Sequence, residues 1–223
     1  MMHSFNNIPL FITFEGGEGA GKSTQSNLLY KALEKNNSEV LHTREPGGTK
    51  SAEVIRELLT VGPTDKWQPN TELLLHMAAR VEHVELVIKP SLKQRKTVIC
   101  DRFLDSTIAY QGYGHQLGQD IIIKMHELVL GNFYPDITIM INVSPHDAMK
   151  RIAGSIKRKT RPARYENMGE AFHKRVLDGF SKIVEMNPDR YIVINGNQTI
   201  ERVHKEIILS LNSKFNLSLL SVL

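Results

Sequence analysis

Residues Gly16–Ser23 carry the clearest chemical pattern in this sequence. They read Gly-Gly-Glu-Gly-Ala-Gly-Lys-Ser, which is a glycine, four residues, Gly-Lys and a serine, as in loops that cradle nucleoside triphosphates. Backbone N–H groups of such a loop face the anion, and the positive end of the following helix adds to the attraction. The pattern therefore predicts a triphosphate site in which Lys22 reaches the outer phosphates and Ser23 reaches a magnesium ion.

A second group of polar residues follows other apolar runs. Asp101 ends the run Thr-Val-Ile-Cys, where folds of this kind place a second magnesium anchor, and Arg102 then offers a planar fork for phosphate oxygens. Arg80 comes four residues after His76, so a helix would place a phosphate contact beside a base contact. The side chains next in line suit a small planar base, and they are Ser106, Thr107, Tyr110 and Gln111.

The net charge of +4 comes from one short segment. Residues 151–164 contain no acid and six basic side chains: Arg151, Lys157, Arg158, Lys159, Arg161 and Arg164. The rest of the chain has 22 basic and 24 acidic residues. A nucleic-acid binder more often spreads its charge over a face with interleaved aromatic residues. Beside a triphosphate loop, a cationic flap that closes over phosphates is favoured over a solvated charged loop.

Strand-like and helix-like patterns alternate along the chain. The predicted strands are Leu10–Phe14, Glu39–Thr43, Thr97–Asp101, Ile137–Val143 and Tyr191–Asn195. The predicted helices are Ser23–Lys35, Ala52–Thr60, Thr71–Lys93, Ile121–Leu130, His146–Ile152, Ala171–Met186 and Ile200–Leu211, with a kink or an end at Pro90. This alternation predicts an α/β fold with a parallel sheet and helices on both faces. Ligands of such sheets bind beyond the carboxyl ends of the strands.

The bulk composition fits a single globular domain over residues 1–223. The sequence has 41% hydrophobic and 23% charged residues, and no apolar run is long enough for a membrane helix. The single cysteine, Cys100, excludes an intramolecular disulfide and a cysteine-rich zinc site, and its apolar neighbours predict a buried thiol. We expect a cytoplasmic protein without a membrane or nucleic-acid partner.

Several longer motifs together resemble bacterial thymidylate kinase, a P-loop nucleoside monophosphate kinase. They are Phe-Glu-Gly-x-Glu-Gly-x-Gly-Lys-Ser-Thr, Thr-Arg-Glu-Pro-Gly-Gly, Ala-Ala-Arg and Asp-Arg-Phe-x-x-Ser-x-x-Ala-Tyr-Gln-Gly. The resemblance runs from Phe11 to about Ile207. It implies a three-layer P-loop NTPase fold with a five-stranded parallel sheet and a mobile lid at about residues 154–165. It also implies transfer of the γ-phosphate of magnesium-ATP to dTMP, in the supply of dTTP, by a homodimer.

The resemblance also assigns roles to individual positions. ATP would bind Gly16, Gly17, Glu18, Gly19, Ala20, Gly21, Lys22, Ser23, Thr24 and Arg151, with Mg²⁺ at Ser23 and Asp101. The acceptor dTMP would contact Glu18 through its 3′-hydroxyl, Arg56, Arg80 and Arg102 through its 5′-phosphate, and Ser106, Thr107 and Gln111 through thymine. Tyr110 would pack against the deoxyribose. Catalysis would use Lys22, Arg102 and one cation of the lid, for which Arg158, Arg161 and Arg164 are candidates.

One position departs from the family, because His76 replaces a phenylalanine that stacks on thymine; a histidine ring can still stack there. Three other functions remain to be weighed. A kinase of the same fold could act on another pyrimidine deoxynucleotide, and a non-catalytic ATP-binding regulator would share the phosphate loop. A GTPase switch would need an Asn-Lys-x-Asp motif, which the sequence lacks.

Overall fold

Five parallel strands form the centre of the protein. The computed structural model describes residues 9–36, 38–154 and 164–223. Its strands are β1 (Phe11–Glu15), β2 (Val40–Arg44), β3 (Thr97–Asp101), β4 (Ile137–Asn142) and β5 (Tyr191–Asn195). Each of the five predicted strands is confirmed to within one residue at either end, since buried parallel strands read as short apolar runs.

The order of the strands places the phosphate loop at the middle of the sheet. The order is β2-β3-β1-β4-β5, so β1 lies between β3 and β4, and all neighbouring strands are parallel. The chain leaves β1 towards one edge of the sheet and later returns to fill the other. Such a reversal opens a crevice at the carboxyl ends of the strands, and the residues after β1 and β3 face each other across it.

Helices cover both faces of the sheet, which confirms the three-layer α/β prediction. The helices are α1 (Lys22–Lys35), α2 (Lys50–Thr60), α3 (Pro69–His83), α4 (Lys89–Lys93), α5 (Leu104–Thr107), α6 (Gln119–Leu130), α7 (Pro145–Gly154), α8 (Glu170–Met186) and α9 (Ile200–Phe215). Successive strand residues point to opposite faces. Phe11 therefore belongs to the core beneath α3, α5, α6 and α8, whereas Ile12 belongs to the core beneath α1 and α9.

Two segments widen into π-helical turns. The first, Val84–Ile88, separates α3 from α4, and Pro90 lies in the first turn of α4. A proline has no N–H and its ring crowds the preceding turn. The change from α-helical to π-helical geometry before Pro90 therefore agrees with the kink predicted there. The second, Ile108–Gly114, continues α5. The sequence patterns predict no helix over residues 104–114.

Within the described parts of the chain, no helix is both long enough and apolar enough to cross a membrane.

Candidate active site

The phosphate loop occupies the turn from β1 to α1. Gly16 has φ +137°, and a Cβ added to it would lie 2.4 Å from the carbonyl oxygen of Ile141 on β4, so only glycine fits there. Gly21 precedes α1 with φ +94°. Lys22 is 6% exposed, and its Nζ donates to the carbonyl oxygens of Gly16 at 3.0 Å and Gly17 at 2.7 Å. Its ammonium group is thus folded over the loop, at the place predicted for phosphates.

The electrostatics of the loop favour an incoming anion. Burial and the neighbouring Arg102 guanidinium lower the pKa of Lys22 to about 8, while the Glu18 and Asp101 carboxylates oppose this effect. Two cations close together in a buried place raise each other's free energy. A polyphosphate bound between them would relieve that repulsion.

Ser23 and Asp101 come together at the crevice, as the sequence predicts for the magnesium site. Ser23 Oγ donates to Asp101 Oδ2, and Asp101 Oδ1 is buried with no hydrogen-bond partner among the described residues. A hydroxyl and a carboxylate are the hard oxygen ligands that Mg²⁺ uses in such sites, with waters and substrate phosphates completing the octahedron. The described residues contain no group of three or more His, Cys, Asp or Glu side chains placed to hold a metal ion. The Ser23 hydroxyl and the Asp101 carboxylate are by their chemistry a donor set that fits a magnesium ion bound together with a nucleotide.

Arg102 bridges the phosphate loop and the segment after β3. Its Nη2 donates to Glu18 Oε1 at 2.7 Å, and its Nη1 donates to Ser106 Oγ at 3.0 Å. Its guanidinium carbon lies 5.2 Å from the centre of the Tyr110 ring, whose hydroxyl also donates to Glu18 Oε1, at 3.0 Å. Although burial raises the pKa of Glu18, Arg102 and Lys22 bring it to about 2. Glu18 is therefore ionised, and its Oε1 accepts hydrogen bonds from Arg102 and Tyr110, two residues that were predicted to bind dTMP.

Arg102 adopts a strained backbone conformation. Its φ is +71°, in the left-handed region that a long side chain rarely occupies. Such strain costs on the order of 1–3 kcal/mol and persists where the surroundings enforce it, often at functional sites. Here the backbone N–H of Arg102 is held by the carbonyl oxygen of Phe14 at 3.0 Å, so the turn out of β3 aims the side chain back at the phosphate loop.

Glu15 fixes the segment that follows Arg102, and the sequence analysis missed this role. Its Oε1 accepts hydrogen bonds from the backbone N–H groups of Phe103 at 2.7 Å and Ser106 at 3.3 Å. Its Oε2 accepts from Ser106 Oγ at 2.5 Å. Burial, followed by the field of Asp105, raises the pKa of Glu15 to about 7. A carboxyl group at the end of an apolar strand was the available signal, because such a residue is rarely buried without a partner.

Arg80 and Arg56 lie in different surroundings. Arg80 is 2% exposed, and it donates to Glu45 Oε2 and to Thr107 Oγ1, both at 2.8 Å. It therefore lies beside a predicted base-facing residue, whereas the sequence analysis assigned it to the 5′-phosphate. Arg56 Nη1 donates to the carbonyl oxygen of Pro46 at 2.7 Å. Burial lowers the pKa of Arg56, and the charges of Arg44 and then Arg102 act in the same direction. Arg56 therefore lies close enough to Arg102 for their charges to interact.

The predicted base-facing residues meet a buried acid and a second tyrosine. Gln111 Nε2 donates to Glu72 Oε1 at 2.7 Å. His76 Nε2 lies 2.9 Å from the hydroxyl of Tyr165, and the Tyr165 ring meets the Tyr110 ring edge-on at 5.7 Å. Neither Glu72 nor Tyr165 was a predicted site residue. A single acid immediately before Leu73-Leu74-Leu75 was a usable signal for Glu72.

The basic segment is only partly described. Arg158 and Arg161, two of the predicted catalytic cations, lie outside the described residues. Arg151 Nη2 donates to the carbonyl oxygens of Gly196 at 2.5 Å and Gln198 at 3.4 Å, on the loop after β5. Arg164 is 1% exposed and is bound near the end of α2, so the structure does not bring it to the phosphate loop. A cation committed to buried partners cannot also reach a phosphoryl group, which argues against Arg164 as the catalytic cation.

Comparison with known proteins gives a consistent result. A sequence model described as thymidylate kinase matches residues 14–207. The thymidylate kinase of Orientia tsutsugamushi (strain Ikeda) is 44% identical over 215 residues, covering 96% of this chain and 97% of that protein. The thymidylate kinase of Lactobacillus acidophilus is 39% identical over 208 residues, covering 92% and 94%. The crystal structure of thymidylate kinase from Ehrlichia chaffeensis has a TM-score of 0.74 and 41% identity, covering 92% of this chain and 99% of that one.

Proposed function

The chain belongs to the thymidylate kinase family, and we propose that it transfers the terminal phosphoryl group of ATP to dTMP, forming ADP and dTDP. The observation that carries this proposal is the position of Arg102. It contacts Glu18 of the phosphate loop on one side and Ser106 of the acceptor segment on the other. A donor phosphate and an acceptor phosphate would therefore both lie within reach of one guanidinium.

The reaction needs little proton transfer from the protein. The acceptor phosphate of a monophosphate has a second pKa of about 6, so it is mostly dianionic at neutral pH. The obstacle is repulsion between two polyanions that must approach in line, and catalysis consists of positioning and charge stabilisation. Lys22 and Arg102 supply fixed positive charge on the donor side and between the nucleotides. This requirement accounts for a site with several arginines.

We propose Mg²⁺ at Ser23 and Asp101, where it would neutralise phosphate charge when ATP is bound. The orphaned Asp101 Oδ1 supports this assignment. The lid around residues 154–165 would supply a further cation, for which Arg158 and Arg161 remain the candidates, and its closure would exclude water and limit ATP hydrolysis. Arg151, which is on α7 and donates to the loop after β5, is proposed to contact ATP outside the phosphate loop. The cytoplasmic location stays a prediction.

The acceptor would be held by both sides of the crevice. Arg56 and Arg102 are proposed to bind the 5′-phosphate, and Glu18 to accept the 3′-hydroxyl through its second oxygen. Arg80 is now proposed to face the base, since it already contacts Thr107. A guanidinium donates only, so it suits a carbonyl oxygen of a pyrimidine.

One coupled assay tests the proposed function. ADP release from ATP is measured with dTMP, with dUMP, with dCMP and without an acceptor. We expect rapid release with dTMP and very slow release without an acceptor. Release that does not depend on an acceptor, or no release at all, would overturn the proposal, and a preference for another monophosphate would replace dTMP by that acceptor.

His76 is proposed to stack on the base as a neutral ring. Burial, with the Arg80 and Arg164 charges, lowers the pKa of His76 to about 4, against the opposing Glu72 and Glu45 carboxylates. A histidine ring is uncharged above its pKa, so His76 is neutral at physiological pH.

The variant His76→Phe is expected to lower the KM for dTMP about two- to tenfold, because a phenyl ring stacks somewhat more favourably. The change should be similar across about pH 5.5 to 8, since the ring does not titrate there. His146→Phe is the matched control, because the His146 side chain is 87% exposed. An unchanged KM over the whole range would rule out stacking by His76.

We also propose a homodimer that forms through α2 and α3. These helices pack on each other and expose Val54 (62%), Leu58 (39%) and Leu74 (58%). Val54 and Leu58 are one turn apart and share a face. Large apolar side chains side by side on adjacent helices are typical of a surface that is covered by a partner.

The variant Leu74→Asp is expected to convert the dimer into a monomer, because a carboxylate would be buried without a partner. Light scattering after size-exclusion chromatography measures this as a halved mass. Leu209→Asp on α9, where Leu209 is 56% exposed, is the matched control and should stay dimeric. A monomeric wild-type protein, or a dimeric Leu74→Asp variant, would contradict the proposed interface.

A further inference from the structure

A buried ion pair lies behind the predicted base-facing residues. Arg164 Nη1 and Glu72 Oε2 are 2.5 Å apart, and both side chains are fully buried. The other Arg164 contacts are carbonyl oxygens of the segment between α2 and α3: Leu59 at 3.2 Å, Pro63 at 3.1 Å and Thr64 at 3.0 Å. The three carbonyl oxygens fix the guanidinium in place, and its charge pairs with Glu72 at contact distance, although Oε2 receives no hydrogen bond from the described residues.

Glu72 uses its other oxygen on the acceptor side. Oε1 accepts from Gln111 Nε2 at 2.7 Å and lies 3.1 Å from His115 Nε2. Burial raises the pKa of Glu72, but the His115 hydrogen bond, the His76 and His115 rings when they are protonated, and the Arg164 charge bring it to about 2. Glu72 is therefore ionised, and an ionised carboxylate can only accept hydrogen bonds.

This fixes the direction of the Gln111 amide. An amide has an N–H₂ end and a C=O end, and only the N–H₂ end can face an ionised carboxylate. The carbonyl oxygen of Gln111 is thereby directed away from Glu72. Gln111 lies four residues after Thr107, which contacts Arg80, on the same helical segment as Tyr110. A base that contacts the free end of this amide therefore contacts a hydrogen-bond acceptor, the carbonyl oxygen of Gln111.

We propose that Glu72, held by Arg164, is a positioning residue that sets the Gln111 amide so that the pocket selects a base with an N–H at N3. Thymine and uracil carry a hydrogen at N3, whereas the N3 of cytosine is an acceptor. Cytosine would therefore place a lone pair against the Gln111 carbonyl oxygen. An unpaired polar group in a buried site can discriminate strongly between similar ligands. This inference rests on the proposed function only in taking Gln111 as a contact of the acceptor base.

The test measures equilibrium binding, so it does not depend on turnover. Kd values for dTMP, dUMP and dCMP are determined by calorimetry for the wild-type chain, for Glu72→Gln and for Glu72→Gln/Arg164→Met. A glutamine at position 72 can donate or accept, which frees the Gln111 amide to turn. The double variant removes the charge that would otherwise be buried without a partner, and apolar replacement of a buried ion pair is often tolerated. Arg80 is unchanged throughout, so its own contribution to base choice stays constant.

We expect the wild-type chain to bind dTMP at least about tenfold more tightly than dCMP, and both variants to reduce that ratio about tenfold. The ratio of dUMP to dTMP should stay unchanged, because both bases carry the N3 hydrogen. If the role of Glu72 were purely structural, the variants would bind all three nucleotides more weakly and to a similar extent. A dTMP-to-dCMP ratio within twofold of the wild-type value in the folded variants would overturn the inference, as would equal binding of dTMP and dCMP by the wild-type chain. Failure of the proposed function would instead appear as absent ADP formation with dTMP.

Discussion

Replacing Lys22 with alanine is expected to lower kcat for dTMP phosphorylation about 10²–10⁴-fold. Lys22 is 6% exposed, and its ammonium group lies over the carbonyl oxygens of Gly16 and Gly17, where the outer phosphates of ATP would bind. A fixed charge in a place from which water is excluded stabilises developing phosphoryl charge far more than the same charge in water. Steady-state kinetics with saturating ATP and dTMP measure the loss.

Lys31→Ala is the matched control for this prediction. Lys31 is on the same helix, α1, and is exposed to solvent, so its loss should leave kcat unchanged. Thermal unfolding of both variants checks that the phosphate loop still folds without the Lys22 hydrogen bonds. Near-full turnover by a folded Lys22→Ala variant would refute the charge-stabilisation mechanism.

The carboxyl-end residues show how far sequence reasoning reaches. Ser23 follows the phosphate loop and Asp101 ends an apolar run, and a parallel sheet brings such residues to one edge. Their contact could therefore be predicted without coordinates. Arg102 also follows a strand, and its contact with Glu18 depends on β1 and β3 being neighbours, which the sequence does not show. The confirmed expectation is that residues after parallel strands share one edge of the sheet, and it depends on strand ends alone.

The buried acids show where sequence reasoning fails. Glu15, Glu45 and Glu72 hold Ser106, Arg80 and Gln111 in place. Apolar neighbours signal the burial of Glu15 and Glu72, yet no local pattern shows which residue any of the three acids pairs with. Their burial depends on partners that come from distant parts of the chain, since Ser106 is 91 positions after Glu15 and Arg164 is 92 positions after Glu72. Tertiary pairing of this kind decides whether an acid is buried or exposed.

Arg164 shows that the sequence is equally insufficient for predicting the role of a cation. Its place in the basic segment made it a candidate for the lid, although it lies in a closed ring of carbonyl oxygens and one carboxylate. Charge density along the sequence indicates a cationic flap, but it does not show which cations are already neutralised. Burial and partners provide that distinction, and they favour Arg158 and Arg161 as the remaining candidates.

Arg102 should be as important for turnover as Lys22. Arg102→Ala is expected to lower kcat/KM for dTMP about 10²–10⁴-fold, because the guanidinium would stabilise charge between the two nucleotides and also bind the acceptor. Arg102→Lys should recover only part of the loss, since an ammonium group lacks the planar fork that contacts Glu18 and Ser106 together. Arg202→Ala, an exposed change on α9, should have no effect.

The backbone at Arg102 offers a way to separate catalysis from folding. At φ +71° an alanine keeps the strain of a left-handed residue, whereas a glycine removes it. Arg102→Gly should therefore be more stable than Arg102→Ala in thermal unfolding, while both lose activity to the same extent. If activity instead followed stability across the two variants, the loss would reflect a disturbed turn after β3. If the two variants are equally inactive but differ in stability, the loss of activity is caused by the missing guanidinium, which would lie between the donor and the acceptor phosphate.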